Sequence, residues 1–237
     1  MIFTDAFWDT RNLGVRTAEL KFDANETVPV DEIARAIEGY EYIVAKVPQQ
    51  SPLTLKLMQD AGFTFSECQI NFRHDLQDLP ERQVLPTGSI MTHRLTRNED
   101  VILEQVGNGL FNSDRVFLDP AFSQETAAKR YVHWIEDELE RGNPLFDVLV
   151  DDELVGFFAY KEPEEHVSYP YLIGLFPEAR GRGLGKALVI ESLIASKEQG
   201  CTASSTHVSS NNPPIIRCQE SVGSRIAAMD YVFVKHQ

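Results

Sequence analysis

Apolar residues recur with two different periods along the first 76 residues of the chain. A two-residue period predicts strands over residues 16–23, 40–48 and 63–76. Between these stretches, residues 31–39 and 51–62 carry apolar positions at helical spacing, and both stretches end on a glycine, as many helices do. This part of the chain is therefore predicted to be a small α/β unit.

Residues 77–88 separate that unit from the rest of the chain. They contain two prolines and one glycine and show no apolar period, which is typical of a linker. We therefore predict a boundary here. A smaller α/β domain over residues 1–86 would help to form a substrate cleft, and a larger domain would follow over residues 87–237.

The larger part again alternates strands with helices. Thr96 and Glu99 stand at the spacing of a capping box ahead of a helix over residues 100–111. Ser123 is predicted to cap a helix over residues 124–142, in which apolar residues at helical spacing indicate one buried face. The remaining pattern predicts strands over residues 89–97, 144–152, 154–163, 166–176, 202–210 and 225–236, and helices over residues 185–200 and 213–223. The chain as a whole is thus predicted to be a mixed α/β protein.

Composition narrows the range of partners. The chain has 237 residues, and its 22 Lys and Arg against 36 Asp and Glu give a net charge of −14. Nucleic acids and anionic membranes bind basic surfaces, so neither is an expected partner. Three cysteines without CxxC spacing argue against a disulfide framework and against a zinc site, so no metal is expected.

The start of the chain carries no recognisable targeting signal. Its first ten residues lack the basic beginning and the apolar centre of a signal peptide. No apolar run approaches the roughly 18 residues of a membrane span. From the sequence we therefore expect a cytoplasmic protein.

The stretch FPEARGRGLGKAL, residues 176–188, concentrates glycine and positive charge in this acidic chain. Glycines between a strand and a helix let an anion reach backbone N–H groups, and the start of a helix adds favourable partial charge. The spacing excludes a P-loop, because Arg180 stands where the first glycine is required and Ala187 where Ser or Thr is required. It also lacks the third glycine of a dinucleotide fingerprint. A phosphate-binding loop of another kind is therefore predicted.

The pattern Arg180-x-x-Gly183-x-Gly185 resembles the loop that holds the pyrophosphate of acetyl-coenzyme A (acetyl-CoA) in the Gcn5-related N-acetyltransferase (GNAT) superfamily. The preceding strand, the following helix and the segment HVSSNNPPIIRCQESVGSRI resemble the same family, so the resemblance covers residues 90–237. It implies the GNAT fold, in which helices flank a central mixed, mostly antiparallel sheet. It also implies an N-acetyltransferase that uses acetyl-CoA as co-substrate.

The resemblance assigns the acetyl-CoA site residue by residue. Backbone groups of Ile173, Gly174 and Leu175 would pair with the pantetheine arm, and an N–H near Leu175 would polarise the acetyl carbonyl. Asn212 matches the coenzyme-facing asparagine of the family, although an Asn in SSNNPP also suits a turn or a helix cap. The loop around the pyrophosphate would comprise Arg180, Gly181, Arg182, Gly183, Leu184, Gly185 and Lys186.

Fewer residues are candidates for transferring protons than for binding acetyl-CoA. The usual proton donor to the departing thiolate in the family is a Tyr, and Gln219, which cannot supply a proton, stands at that position. Water, the ammonium proton of the acceptor or another side chain would do this work instead. His207 and His166 are candidate catalytic bases because histidine titrates near neutral pH. Water or a hydroxyl group of the substrate is the alternative base.

A narrower resemblance concerns the acceptor. FWDTRNLGVRTAEL near the start is similar to two-domain acetyltransferases of nucleotide-linked amino sugars, such as the dTDP-fucosamine acetyltransferases, with Leu13 where Phe is usual. It implies a dTDP-linked amino-dideoxy sugar as substrate, for surface-polysaccharide (O-antigen or capsule) biosynthesis. Arg115 or Arg130 would meet the phosphates, although Tyr131 and Trp134 at helical spacing also suit a core face. The candidate substrate-binding residues are Asn112, Arg115, Tyr131, Trp134, Tyr169 and Tyr171.

Other functions fit parts of the same sequence. A polycationic aminoglycoside or a peptide amine would also suit the charge of −14. Gln219 suggests a non-catalytic regulator that binds coenzyme A. The final strand with its YVF triplet is either a surface between the subunits of a homodimer or an ordinary core strand.

Overall fold

The computed structural model describes residues 1–83, 85, 89–93 and 97–237. In chain order its strands are β1 (Ile2–Asp5), β2 (Thr17–Lys21), β3 (Tyr42–Pro48), β4 (Thr64–Asp75), β5 (Ile90–His93), β6 (Leu145–Val150), β7 (Glu153–Glu164), β8 (Val167–Leu175), β9 (Ala203–Ser209) and β10 (Arg225–His236). Its helices are α1 (Phe7–Leu13), α2 (Val30–Ala36), α3 (Pro52–Asp60), α4 (Glu99–Gly107), α5 (Gln124–Glu140), α6 (Leu184–Glu198) and α7 (Pro213–Ser221). A single 3-10 turn, Pro177–Ala179, follows β8.

The predicted elements are present, and two further elements come before them. The Ser123 hydroxyl accepts the Thr126 N–H at 3.0 Å, which confirms the predicted cap of α5. Thr96 of the predicted capping box and residues 86 and 87 at the predicted domain boundary lie outside the described residues. The sequence pattern did not predict β1 and α1.

Ten strands among the described residues form one sheet with the order β1-β2-β3-β10-β4-β9-β8-β7-β6-β5. Two neighbouring pairs, β2 with β3 and β8 with β9, are parallel, and the other pairs are antiparallel. This is the mixed, mostly antiparallel sheet that the resemblance implies. The last strand, β10, lies between β3 and β4, so the sheet is continuous across the linker. The division into two domains stays a prediction.

Helices cover both faces of the sheet. On one face α1, α4 and α5 pack over buried side chains such as Val44 and Phe157. On the other face, α2 and α3 cover β2 and β3, while α6 and α7 cover β4 and β7 to β9. Helix α1 packs against α5 on this face, where Trp8 Nε1 donates a 2.8 Å hydrogen bond to Asp137.

The sheet opens between its two central parallel strands. Strands β8 and β9 pair only at Val167–Ala203 and Ser168–Ser204. Immediately beyond, the pairing of β8 with β7 shifts register between Pro170 and Leu172, which marks a β-bulge. From residue 169 onward, β8 therefore diverges from β9 and leaves a gap that reaches through the sheet.

One further property concerns the helices. Within the described ranges, none of them combines the length and the apolar character needed to cross a lipid bilayer.

Candidate active site

The glycine-rich loop presents the open end of α6. Gly183 precedes the helix with φ of +75°, and no side chain caps the first turn. A Cβ atom added at Gly181 or Gly183 would meet no heavy atom within 4 Å. Within the described residues, the first backbone N–H groups of α6 therefore have no side-chain partner, and such groups at the start of a helix can bind phosphate.

The cations of the loop differ in how far they are engaged. Arg182 pairs with Glu153 at 2.9 Å. Arg180 Nη2 donates to the backbone oxygen of Leu110 at 3.3 Å, and Lys186 is exposed. Among the described residues, neither Arg180 nor Lys186 forms an ion pair, so both charges remain available to an anion at the loop.

Strand β8 offers backbone groups to the gap in the sheet. The Phe176 N–H donates to the Val155 oxygen at 3.0 Å, so residue 176 points its backbone toward β7. Alternation along the strand turns the N–H and C=O groups of Leu175 and Ile173 toward the gap instead. Gly174 points its backbone toward β7, and a Cβ there would lie 2.9 Å from Leu110. Gly174 thus permits close packing, whereas Ile173 and Leu175 are the residues placed to pair with an extended ligand.

A cavity of about 500 Å³ fills the gap. Residues of α1 and α5 line it on one face of the sheet, and residues of α7 line it on the other. Strand β8 forms the wall between them. Eight of the predicted site residues are brought together here, since the lining includes Ile173, Asn212, Arg115, Tyr131, Trp134, Tyr169, Tyr171 and His207.

Gly174, Leu175 and the loop residues from Arg180 to Lys186 do not line this cavity, and neither do His166 and Asn112. His166 lies in the turn between β7 and β8 with φ of +61° and is exposed. It stands at the opposite end of β8 from Leu175, so the prediction of His166 as a base is corrected. Asn112 is exposed beside the cavity, between the lining residues Phe111 and Ser113.

A buried network of charges holds one wall together. Asp9 of α1 accepts hydrogen bonds from Arg115 at 2.9 Å and from Arg130 at 3.2 Å, and Arg130 also donates to Asp114 at 2.6 Å. Burial alone would raise the pKa of Asp114, but the Arg130 and Arg115 charges and the Phe117 N–H outweigh it and hold that pKa below its usual value. The guanidinium groups predicted to meet substrate phosphates are therefore already paired with carboxylates.

The aromatic residues beside this network serve the core as well as the cavity. Tyr131 belongs to the hydrophobic core under β7 and β8, and Trp134 packs at its edge. The Trp134 and Tyr171 rings lie 4.7 Å apart. Tyr169 and Tyr171 face the same side of β8, where both pack at this core.

Glu67 of β4 is a site residue that the sequence did not reveal. It is 6% exposed, lines the cavity and accepts a hydrogen bond from the Ser209 hydroxyl. Among the described residues it forms no ion pair, and burial raises its pKa. Its signal is the run Glu67, Gln69 and Asn71, which places three polar side chains on one face of a central strand of the sheet.

His207 of β9 lies between two polar side chains. Its Nδ1 is 3.0 Å from the Tyr169 hydroxyl, and its Nε2 is 3.0 Å from the Asn71 amide nitrogen. Desolvation by the surrounding protein and the Lys46 charge lower the pKa of His207, so the ring is neutral at pH 7. Burial raises the pKa of Tyr169 to about 12, so its hydroxyl keeps its proton.

Helix α7 forms the opposite wall. The Asn212 side chain accepts the Ile215 N–H at 3.4 Å, which confirms the helix-cap interpretation of this residue. Gln219 is 4% exposed and lines the cavity, and its carbonyl oxygen accepts the Ser224 hydroxyl at 2.8 Å. Gly185 brings α6 against α7, because a Cβ there would lie 3.0 Å from the Cys218 sulfur.

No cluster of three or more His, Cys, Asp or Glu side chains able to hold a metal ion occurs in the described part of the chain.

Comparison with known proteins gives a consistent set of relatives. Residues 110–223 match the model of a family described as "Acetyltransferase (GNAT) family". Mycothiol acetyltransferase from Actinosynnema mirum is 30% identical over 152 residues, which are 64% of this chain and 49% of the relative. Mycothiol acetyltransferase from Thermomonospora curvata is 28% identical, over 69% of this chain and 54% of the relative. The chain thus spans about half the length of these relatives.

The fold has close counterparts among solved structures. A GCN5-related N-acetyltransferase from Sphaerobacter thermophilus superposes with a TM-score of 0.63 at 17% sequence identity. The superposition covers 82% of this chain and 59% of the other. At this identity the match concerns the fold, which is the GNAT arrangement of a mixed α/β sheet between helices.

Proposed function

We propose that this chain, whose residues 110–223 match the model of the acetyltransferase (GNAT) family, is an acetyl-CoA-dependent N-acetyltransferase acting on a small polar amine. One observation carries the proposal. Leu175 at the end of β8 lies beside the start of α6, and Ile173, two residues earlier, lines a cavity that also holds Glu67, a buried carboxyl group without an ion pair among the described residues.

The residues present fit the coenzyme. The open N–H groups of α6 and the unpaired charges of Arg180 and Lys186 suit its pyrophosphate. The backbone groups of Ile173 and Leu175 that face the gap suit its amide-containing arm. When bound, acetyl-CoA supplies the acetyl group as an activated thioester.

The chain itself supplies orientation and proton transfer. A backbone N–H at Leu175 that faces the gap can donate to the thioester carbonyl oxygen, where negative charge develops. Glu67 can accept the proton that the acceptor ammonium must lose before its nitrogen attacks. A carboxylate buried without an ion pair also attracts that ammonium. His207 is the second candidate base and Gln219 a neutral wall.

Fewer observations bear on the identity of the acceptor amine than on the acetyl-CoA site. The relatives are named for mycothiol, and that name describes their activity. A dTDP-linked amino sugar, with its role in surface-polysaccharide biosynthesis, is a narrower form of our proposal. This narrower form is weakened because Arg115 and Arg130 were expected to meet the phosphates. Both guanidinium groups are instead paired with Asp9 and Asp114. The cavity volume of about 500 Å³ favours a small amine over a peptide or an aminoglycoside.

Thiol release from acetyl-CoA tests the proposal. The panel comprises free amino sugars, dTDP-linked amino sugars, aminoglycosides and peptides, each at equal concentration. We expect release with small amines and formation of the acetylated amine in equal amount by mass spectrometry. Binding of acetyl-CoA without release on any amine would overturn the proposal and support the regulator instead.

A further inference from the structure

A second group of charges lines the cavity where α5 meets β7. Glu138 is 3% exposed, and both of its carboxylate oxygens are engaged. Arg141 Nη1 lies 2.6 Å from Oε1, and the Asn143 amide donates to Oε2 at 2.6 Å. Glu138 is thus satisfied without any other partner.

Lys161 faces the same part of the cavity with its charge less engaged. Its Nζ lies 3.9 Å from Glu138 Oε1, beyond hydrogen-bond distance. The ammonium stands 5.1 Å from the Trp134 ring centroid and 5.8 Å from that of Tyr169. Among the described residues it donates no hydrogen bond, so its N–H groups remain available to a ligand beside these aromatic walls.

The ion pairs show that this end of the cavity carries excess positive charge. Lys161 and Arg141 bring two cations to one carboxylate, Glu138. Elsewhere in the cavity the charges balance, since Lys46 pairs with Glu19 at 2.8 Å and the Asp9 network holds two acids and two bases. In the described part of the cavity lining, the other carboxyl group, that of Glu67, forms no ion pair.

We infer that Lys161, with Trp134 as its wall, binds an anionic group of the acceptor. The acceptor is then an amine that also carries a carboxylate or a phosphate, with its ammonium directed to Glu67 and its anion to Lys161. This inference rests on the proposed function and names its substrate class. A charge-assisted hydrogen bond in a partly desolvated cavity is stronger than one in water, which gives the pairing its selectivity.

Three matched amines test the inference: D-glucosamine, D-glucosaminate and D-glucosamine 6-phosphate. We expect the KM of at least one anionic amine to be ten- to hundredfold below that of glucosamine, as for a charge-assisted contact. In Lys161→Met this difference should fall below about threefold, and Lys161→Arg should restore it. Preference for the carboxylate or for the phosphate identifies which anion the acceptor carries.

Lys129→Met is the matched control. It removes the same charge from the exposed side of α5, where Lys129 pairs with Glu125 at 2.7 Å. The preference for anionic amines should persist in this variant. Equal KM values for charged and neutral amines in the wild type, or an unchanged preference in Lys161→Met, would overturn the inference while leaving acetyl transfer intact.

A binding titration separates this inference from the proposed function. Tryptophan fluorescence of the protein is followed as glutarate, pyrophosphate or dTDP is added, without any acetyl-CoA. We expect saturable quenching by at least one of them that weakens at least tenfold in Lys161→Met and persists in Lys129→Met. Quenching with no dependence on Lys161 counts against the anion site, whatever the thiol-release assay shows.

Discussion

Two ionisable side chains in the cavity, Glu67 and His207, have pKa values displaced toward each other. Burial raises the pKa of Glu67 above the usual value of 4.5. Desolvation and Lys46 lower that of His207 below 6.5. Both groups would be active as bases above their pKa values, so each predicts activity that falls with decreasing pH. A pH profile of the wild type alone therefore does not identify the base.

Replacing Glu67 by Gln should identify it. This change keeps the size of the side chain and an acceptor for Ser209, but removes the proton acceptor. We expect kcat to fall about a hundredfold or more, as for a lost general base. The fall in kcat/KM at acid pH should disappear with it. Retention of both the rate and the acid limb would exclude Glu67 as the base.

His207→Asn is the complementary variant. It removes the ring but keeps a polar group beside Tyr169 and Asn71. If Glu67 is the base, the acid limb of kcat/KM should stay at the pH where the wild type has it, with a loss in rate of at most about tenfold. An acid limb that vanishes in this variant would transfer the role to His207.

At the scale of elements, most strands and helices follow from local apolar periodicity. The helix from Gln124 and the strand from Arg225 begin where the pattern predicts. Strand β1 was missed because all four of its residues are exposed, so it has no apolar alternation. Helix α1 was missed because its buried face includes Asp9, which is buried only through Arg115 and Arg130.

The candidate site likewise has a part that local sequence predicts and a part that depends on contacts between distant residues. The glycine-rich loop is contiguous in sequence, so its spacing alone identifies it. Glu67 owes its burial to β9 and β10, which pair with β4 from more than a hundred residues away along the chain. Arg115 is already paired because its guanidinium donates a hydrogen bond to Asp9, which lies 106 positions earlier in the chain. Such contacts leave no local pattern from which they can be predicted.

The glycines that precede α6 permit a matched test. Gly183→Ala places a Cβ at φ of +75°, and Gly142→Ala does so at +83° after α5. Neither Cβ meets a heavy atom within 4 Å, so both should cost about 1 kcal/mol of stability through backbone strain. Only Gly183→Ala should also weaken coenzyme A binding, by tenfold or more in calorimetry. Equal affinities in the two variants would argue against the phosphate site.

The Asp9 network permits a test of how α1 is held. Asp114→Asn removes one carboxylate and leaves Arg130 with less compensation in a buried site. Because such a loss is costly, we expect the free energy of unfolding at pH 7 to fall by about 3 kcal/mol. The exposed pair of Asp31 with Arg35 is the control, and Asp31→Asn should change it by less than about 0.5 kcal/mol.

The sign of the pH dependence follows from the pKa of Asp114, which lies below 3.8 in the folded protein. A carboxyl group with a lowered pKa contributes stability above its unfolded pKa, and that contribution disappears as the pH falls through the folded value. The difference between wild type and Asp114→Asn in urea unfolding should therefore be full at pH 7 and shrink below pH 4. A difference that grows toward acid pH would contradict the assignment.

At the scale of the whole molecule, the net charge of the protein and the charge of the coenzyme have the same sign. The net charge of −14 repels a coenzyme that is itself an anion. Binding must therefore rely on the local field of the loop, where Arg180 and Lys186 stand beside the open helix end. The amine acceptor is a cation, so the acidic surface attracts it and favours its approach to the cavity.

The continuous sheet raises the question of whether the two predicted domains fold separately. Both neighbours of β10, which are β3 and β4, belong to residues 1–86, and β4 is also a neighbour of β9. A fragment of residues 87–237 would leave the 12-residue strand β10 unpaired on both sides. Unpaired strand edges expose hydrogen-bonding groups and favour aggregation.

We therefore expect the fragment of residues 87–237 to lack a cooperative unfolding transition in circular dichroism. Co-expression with residues 1–86 should restore the transition, because the missing strands are then supplied by the second fragment. Recovery of acetyl-CoA binding in the same mixture would show that the gap between β8 and β9 reforms with the sheet. A fragment that folds and binds acetyl-CoA alone would instead support two independent domains, with β10 stable outside its position between β3 and β4.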